Sequence, residues 1–178
     1  QKLAWHALLQ GDREGYERFM TLCTRQGSLI VDSDQSAQVE AEAGAPPLAP
    51  LLRARLLFDG AYYRQAYEVL AGKTEMDFAE GRPRLEYHYR MGRLLQGLKR
   101  YPQALRHYRL SIDAGAGESW YYACSAALQS ALIYEELDRD QQAVDYFQQC
   151  LDMRPAEYRT GLHQQAKSGL ARLRNEQN

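Results

Sequence analysis

No stretch of this chain approaches the ~20 consecutive apolar residues of a membrane-spanning helix. Its cysteines, Cys23, Cys124 and Cys150, are few, odd in number and far apart in sequence, which excludes a zinc knuckle or a dense disulfide framework. Lysine is scarce, confined to Lys2, Lys73, Lys99 and Lys167, so the positive charge is mostly arginine. Arginine's planar fork suits carboxylate pairing, although GC-rich coding produces the same bias. An excess of either sign is missing too. The net charge of −1 disfavours a uniformly basic nucleic-acid-binding protein or an acidic tail. Neither a signal peptide nor an initiator methionine is present, and the opening QKLAWHALLQGD reads as mid-helix, as in a piece of something longer. What remains is 178 residues with 45% hydrophobic content, enough for one compact domain or one array of stacked repeats.

The central stretches MGRLLQGLKRYPQALRHYRLSI (91–112) and SALIYEELDRDQQAVDYFQQCLDMRP (130–155) carry one pattern twice. Each is a helix-sized apolar pattern, a polar break, and a second helix with an alanine followed four residues later by an aromatic: Ala104 with Tyr108, Ala143 with Phe147. Ala66 fits the same place, giving spacings of 38 and 39 residues. The pattern predicts first helices over 48–59, 85–97 and 119–137, and second helices over 62–71, 101–114 and 140–153. Pro102 suits a first helical turn, and Pro155 stops a helix just past its end. Small residues (Ala54, Gly92, Ala131, Ala66, Ala104, Ala143) would let helices approach, while Leu57, Leu95, Tyr134, Leu70, Tyr108 and Phe147 would fill the spaces between.

These residues resemble the tetratricopeptide repeat family, whose repeats run about 34 residues. The extra residues fall in the glycine-rich linkers GKTEMDFAEGRP (72–83) and AGAGESWYY (114–122). The resemblance implies an all-α, right-handed superhelix (an α-solenoid) of stacked antiparallel helix pairs. It divides a single domain, 1–178, into a degenerate repeat (1–23, with Tyr16 in place of the alanine), an insertion with a short acidic helix (24–50), repeats at 48–83, 84–118 and 119–155, and a closing helix (156–174). At a finer level, LLRARLLFDGAYYRQA and ALIYEELDRD look like segments of uncharacterised Bacteroidetes repeat proteins, whose full-length forms are exported and carry further helices upstream. That resemblance implies an exported or periplasmic location, with the cytoplasm as the alternative, and it implies no activity.

Signals for catalysis are lacking. His6, His88, His107 and His163 have no partner at metal-ligand spacing, HExxH is absent, and no Gly-rich phosphate loop follows a strand. Cys23 and Cys150 occupy matching alanine places in second helices and read as small buried hydrophobes. The carboxylate pairs Glu40–Glu42 and Glu135–Glu136 read as solvated helical faces. The chain is therefore expected to be no enzyme and to need no cofactor or metal. Arg82, Arg84, Arg100, Arg106 and Arg109, interleaved with Tyr87 and Tyr101, are similar in composition to a single-strand nucleic-acid surface. Tyrosines at these places are equally repeat packing residues, and nucleic acid is not expected as a partner.

The family's ligands bind mainly on the concave face lined by first helices. Carried onto this sequence, the ninth groove place holds Trp5, Arg55, Arg93 and Leu132; the fifth Leu51, Tyr89 and Leu128; the sixth Leu52, Arg90 and Gln129; the twelfth Phe58, Gln96 and Glu135. The candidate partner-binding residues are Arg55, Phe58, Tyr89, Arg90, Arg93, Gln129 and Leu132, with the arginines suited to a peptide carboxylate. The alternative for Arg55 and Arg93 is pairing with Asp59 and Glu86, or simple exposure to water. Leu51, Phe58, Leu128 and Leu132 could likewise form an apolar peptide pocket or pack on other surfaces. The lysine and asparagine clamp of chaperone-binding members lacks its asparagines here. The implied role is a protein-interaction scaffold whose partner is a protein or peptide, acidic or C-terminal, or else a packing or self-association module that forms a homodimer.

Overall fold

The computed structural model describes residues 1–26 and 32–176. Among them every regular element is helical: α1 (Lys2–Leu9), α2 (Arg13–Gln26), α3 (Asp32–Ala43), α4 (Ala49–Asp59), α5 (Tyr63–Ala71), a 3-10 turn (Glu75–Asp77), α6 (Arg82–Gly97), α7 (Tyr101–Gly115), α8 (Tyr122–Glu136), α9 (Asp140–Asp152) and α10 (Arg159–Glu176). The fold is all-α, as the apolar periodicity requires. The chain divides into two compact units, Gln1–Arg53 and Ala54–Asn178, with the boundary inside α4.

In the first unit, α2 packs on α1 and α3 on α2. Asp12 Oδ1 accepts the Gly15 N–H at 2.7 Å, satisfying an otherwise orphaned amide at the start of α2. Glu40, expected on a solvated face, instead accepts three hydrogen bonds: from Trp5 Nε1 (2.8 Å), Gln1 Nε2 (2.7 Å) and Tyr16 Oη (3.0 Å). Tyr16 is buried at the place where other copies carry alanine. Its phenol pKa is pushed well up by burial and by the Glu40 carboxylate, so it stays protonated and donates.

The second unit has the stacked-pair layout of an α-solenoid. Each helix packs on the next from α5 to α10, and the first helices also touch one another, α6 with α8 and α8 with α10. The small anchor residues Ala54, Ala66, Ala104, Ala131 and Ala143 are buried, as are Leu70, Leu95, Tyr108 and Phe147. Leu57 and Tyr134 are only partly buried, against expectation; Tyr134 stacks on Tyr146 with ring centroids 5.5 Å apart. Helix α6 begins at Arg82, earlier than expected, because Pro83 fits its first turn, where no N–H is needed. The linker before it is pinned down. Thr74 N–H donates to Asp77 Oδ2 (2.6 Å), Phe78 is buried and stacks on Tyr87 (4.7 Å), and Tyr87 Oη donates to the Lys73 carbonyl (2.8 Å).

The hairpin turns repeat one geometry. Gly11, Ala61, Lys99 and Asp138 all have positive φ (81°, 61°, 57° and 54°). In each turn the following N–H reaches back five residues: Asp12 to Ala7 O (2.9 Å), Tyr62 to Leu57 O (2.9 Å), Arg100 to Leu95 O (2.8 Å) and Arg139 to Tyr134 O (2.9 Å). This is the Schellman closure of a helix C-terminus, in which the left-handed residue is ordinarily glycine. Only Gly11 supplies one. A left-handed residue bearing a Cβ costs roughly 1–2 kcal/mol, part of which glycine returns through its freer unfolded chain. Ala61→Gly is therefore expected to stabilise the fold by about 0.5–1 kcal/mol in urea denaturation. A loss of stability would show that Ala61 makes compensating contacts.

Candidate binding groove

Helical spacing builds the site. On α6, positions four apart share a face, which pairs Glu86 with Arg90 and Tyr89 with Arg93. Arg90 donates through Nε (3.1 Å) and Nη2 (2.9 Å) to Glu86 Oε1, with side-chain exposures of 12% and 19%. Burial works against the charge on Arg90, but its surroundings of Tyr121, Glu86, Tyr122 and Tyr89 outweigh that and hold its pKa above the ordinary value. Burial pushes Tyr121 up to about 12 and raises Tyr122 well above its ordinary value, so both of these phenols are neutral and the Glu86 carboxylate is the neighbouring charge that matters.

Arg93 is held differently. Its Nη1 donates to Tyr89 Oη at 3.1 Å, and its guanidinium lies over the Phe58 ring, 4.6 Å from the centroid. Among the described residues no carboxylate lies within ion-pair distance of it. Tyr89 itself is 4% exposed and accepts a hydrogen bond from Ser125 Oγ (3.0 Å) on α8, so it positions Arg93 from below and offers no surface to a ligand. Arg55, on α4, is partly exposed beside Asp59 at 3.8 Å. Gln129 and Leu132, on α8, are both partly exposed.

The structure thus brings Phe58, Tyr89, Arg90 and Arg93 into one connected cluster. Of the carboxylate pairings expected as the alternative, Arg55–Asp59 forms, while Glu86 takes Arg90 and leaves Arg93 to the aromatics. Leu51 and Leu128 are 1% exposed and cannot line a peptide pocket. Glu135 is bridged by Arg172 of α10 through two hydrogen bonds (2.9 and 2.8 Å), and Glu136 accepts from Lys99 (3.2 Å) and Tyr101 (2.5 Å), so neither is merely solvated. Tyr121 was missed by sequence reasoning because it lies in a linker. It packs edge-on against Tyr89 (5.8 Å) and Tyr158 (4.9 Å), walling the side of Arg90.

Elsewhere in this unit His88 Nδ1 faces His107 Nδ1 at 3.2 Å, and His88 Nε2 contacts Glu75 Oε2 at 3.0 Å. No group of three or more potential metal ligands occurs among the described residues. The arginine and tyrosine patch around the central helices is mostly packing: Tyr87 is buried, Arg84 lies 3.5 Å from Glu80, Arg100 stacks over Tyr67 and Arg82 over Tyr122. No helix among the described residues is long and apolar enough to cross a membrane.

Residues 84–156, which span α6 to α9, match the family model described as tetratricopeptide repeat. No curated protein and no solved structure matches the chain. Repeats of this family generally mediate protein–protein interaction.

Proposed function

We propose that the chain is a protein-interaction scaffold and that its second unit binds a carboxylate-bearing peptide segment, acidic or C-terminal, beside α6. The observation that carries this reading is Arg93. It is a partly exposed guanidinium seated between Phe58 and Tyr89, with one donor spent on Tyr89 Oη and no carboxylate partner among the described residues. The planar fork has donors left for an incoming carboxylate, and the aromatic shelf fixes its orientation in advance. Arg90, locked to Glu86, supplies positioning, and the partly exposed Arg55 beside Asp59 adds a second positive charge. Gln129 and Leu132 would meet the peptide further along.

The test is an array of acidic peptides and free C-terminal carboxylate peptides beside their C-amidated and Glu-to-Gln counterparts, followed by titration of the best binder. Arg93→Glu should weaken binding at least about tenfold, and Arg93→Gln by less, with the melting midpoint of the Gln variant close to that of the parent. Equal affinity for parent and both variants would remove Arg93 from the site.

A second reading, self-association as a packing module, is favoured by Leu3, Leu22, Val39 and Leu48, large apolar side chains left exposed in the first unit. It calls for a concentration-dependent dimer in sedimentation experiments that Leu3→Lys disrupts.

A further inference from the structure

Two thiols distant in sequence meet in the core of the second unit. Cys124 lies on α8 and Cys150 on α9, and their Sγ atoms are 3.5 Å apart. Both are free thiols, 1% and 0% exposed, and Cys124 Sγ also donates to the Cys150 carbonyl at 3.4 Å. The approach follows from composition: α8 carries Ala123, Ala126, Ala127 and Ala131, all buried, and α9 presents Ala143, so this helix pair packs with short side chains between its backbones.

We propose that Cys124 and Cys150 form a site of reversible disulfide formation that ties α8 to α9. The Sγ atoms must close by a further ~1.5 Å to bond, within reach of a change in side-chain torsion. The oxidant is a low-molecular-weight disulfide. One cysteine thiolate attacks it, forming a mixed disulfide and releasing one thiol. The second cysteine then displaces the other half, so two protein thiols become one disulfide and the oxidant leaves as two thiols. Because both sulfurs are buried, exchange occurs as the chain folds or when α8 and α9 part, and the same burial afterwards shields the bond from reductants. Cys23, partly exposed in the first unit, is the built-in reference thiol.

The experiment refolds the full chain in glutathione buffers of graded redox ratio, traps free thiols by alkylation, and maps peptides by mass. The expected result is a Cys124–Cys150 linked peptide lighter by two hydrogens, with Cys23 alkylated or capped by glutathione. The melting midpoint should rise by roughly 5 °C or more over the reduced chain. Cys150→Ala should abolish both the linked peptide and the rise. Cys124 and Cys150 both remaining alkylated at the most oxidising ratio, or three cysteines pairing as randomly as in denaturant, would overturn the proposal.

Discussion

Gly169→Ala is expected to lower the stability of the second unit by about 2–3 kcal/mol, although alanine is by itself the better helix former by about 1 kcal/mol. A Cβ at this position of α10 would collide with Phe147 Cζ and lie 2.5 and 2.6 Å from its Cε atoms. Phe147 is fully buried, so its ring cannot step aside without displacing the α8–α9 core. Gly169 is therefore the seat into which the tip of the ring projects, and it fixes where the closing helix lies on α9. Gly161, on the same helix, has open space within 4 Å of where a Cβ would stand and serves as the control: its replacement by alanine should be neutral or mildly stabilising. Phe147→Leu shortens the side chain and should cost about 1 kcal/mol alone, yet raise the stability of Gly169→Ala when the two are combined. Urea denaturation of the four proteins measures the coupling. Simple additivity would mean that some other contact seats α10.

The contrast between Gly169 and the alanines shows where sequence reasoning reaches and where it stops. Ala66, Ala104 and Ala143 recur with fixed partners at short range, so their burial, the helix boundaries within a few residues and the stacked-pair architecture could be read from the pattern. Gly169 belongs to no repeat of that pattern; its meaning depends on the depth at which α10 settles on α9. The left-handed turn residues escaped for a different reason: Ala61, Lys99 and Asp138 lack the glycine that announces such a turn, and only the packing of the hairpin imposes the conformation. At the candidate groove the side-chain pairings could not be read from the residues. Glu86 pairs with Arg90 along one helix rather than with Arg93, and Arg93 meets Phe58 from a different helix. His88 with His107, and Cys124 with Cys150, are likewise contacts between helices, decided by the rotation of each helix about its axis, which no periodicity encodes to the accuracy of a hydrogen bond.

The histidine pair should make the second unit sensitive to mild acid. With Nδ1 facing Nδ1 at 3.2 Å, one ring donates and the other accepts, so protonating both puts two donors head to head. The surroundings are mixed. From the 3-10 turn Glu75 holds His88 Nε2, Arg84 on α6 and Arg106 on α7 add positive charge, and the neutral Tyr87 ring packs against both imidazoles. Burial, His88 and Arg106 bring His107 down to about 4, and burial lowers His88 as well, with Glu75 opposing and Arg84 assisting. Folded-state values below the ordinary 6.5 mean that the unfolded chain takes up protons first as pH falls. The stabilisation is therefore complete above pH 6.5 and is lost between 6.5 and about 4, reaching roughly 2–3 kcal/mol. Carboxylates also titrate toward the lower end of that window, so the decisive quantity is the difference between the parent and His107→Gln, which keeps a hydrogen-bonding side chain without the titration. Urea denaturation at pH 7, 5.5 and 4 should show the parent losing more stability from pH 6.5 downward than the variant, which keeps only the His88 contribution until the carboxylates protonate. Parallel curves for the two proteins would mean that the imidazoles part and hydrate in acid at no cost to the fold.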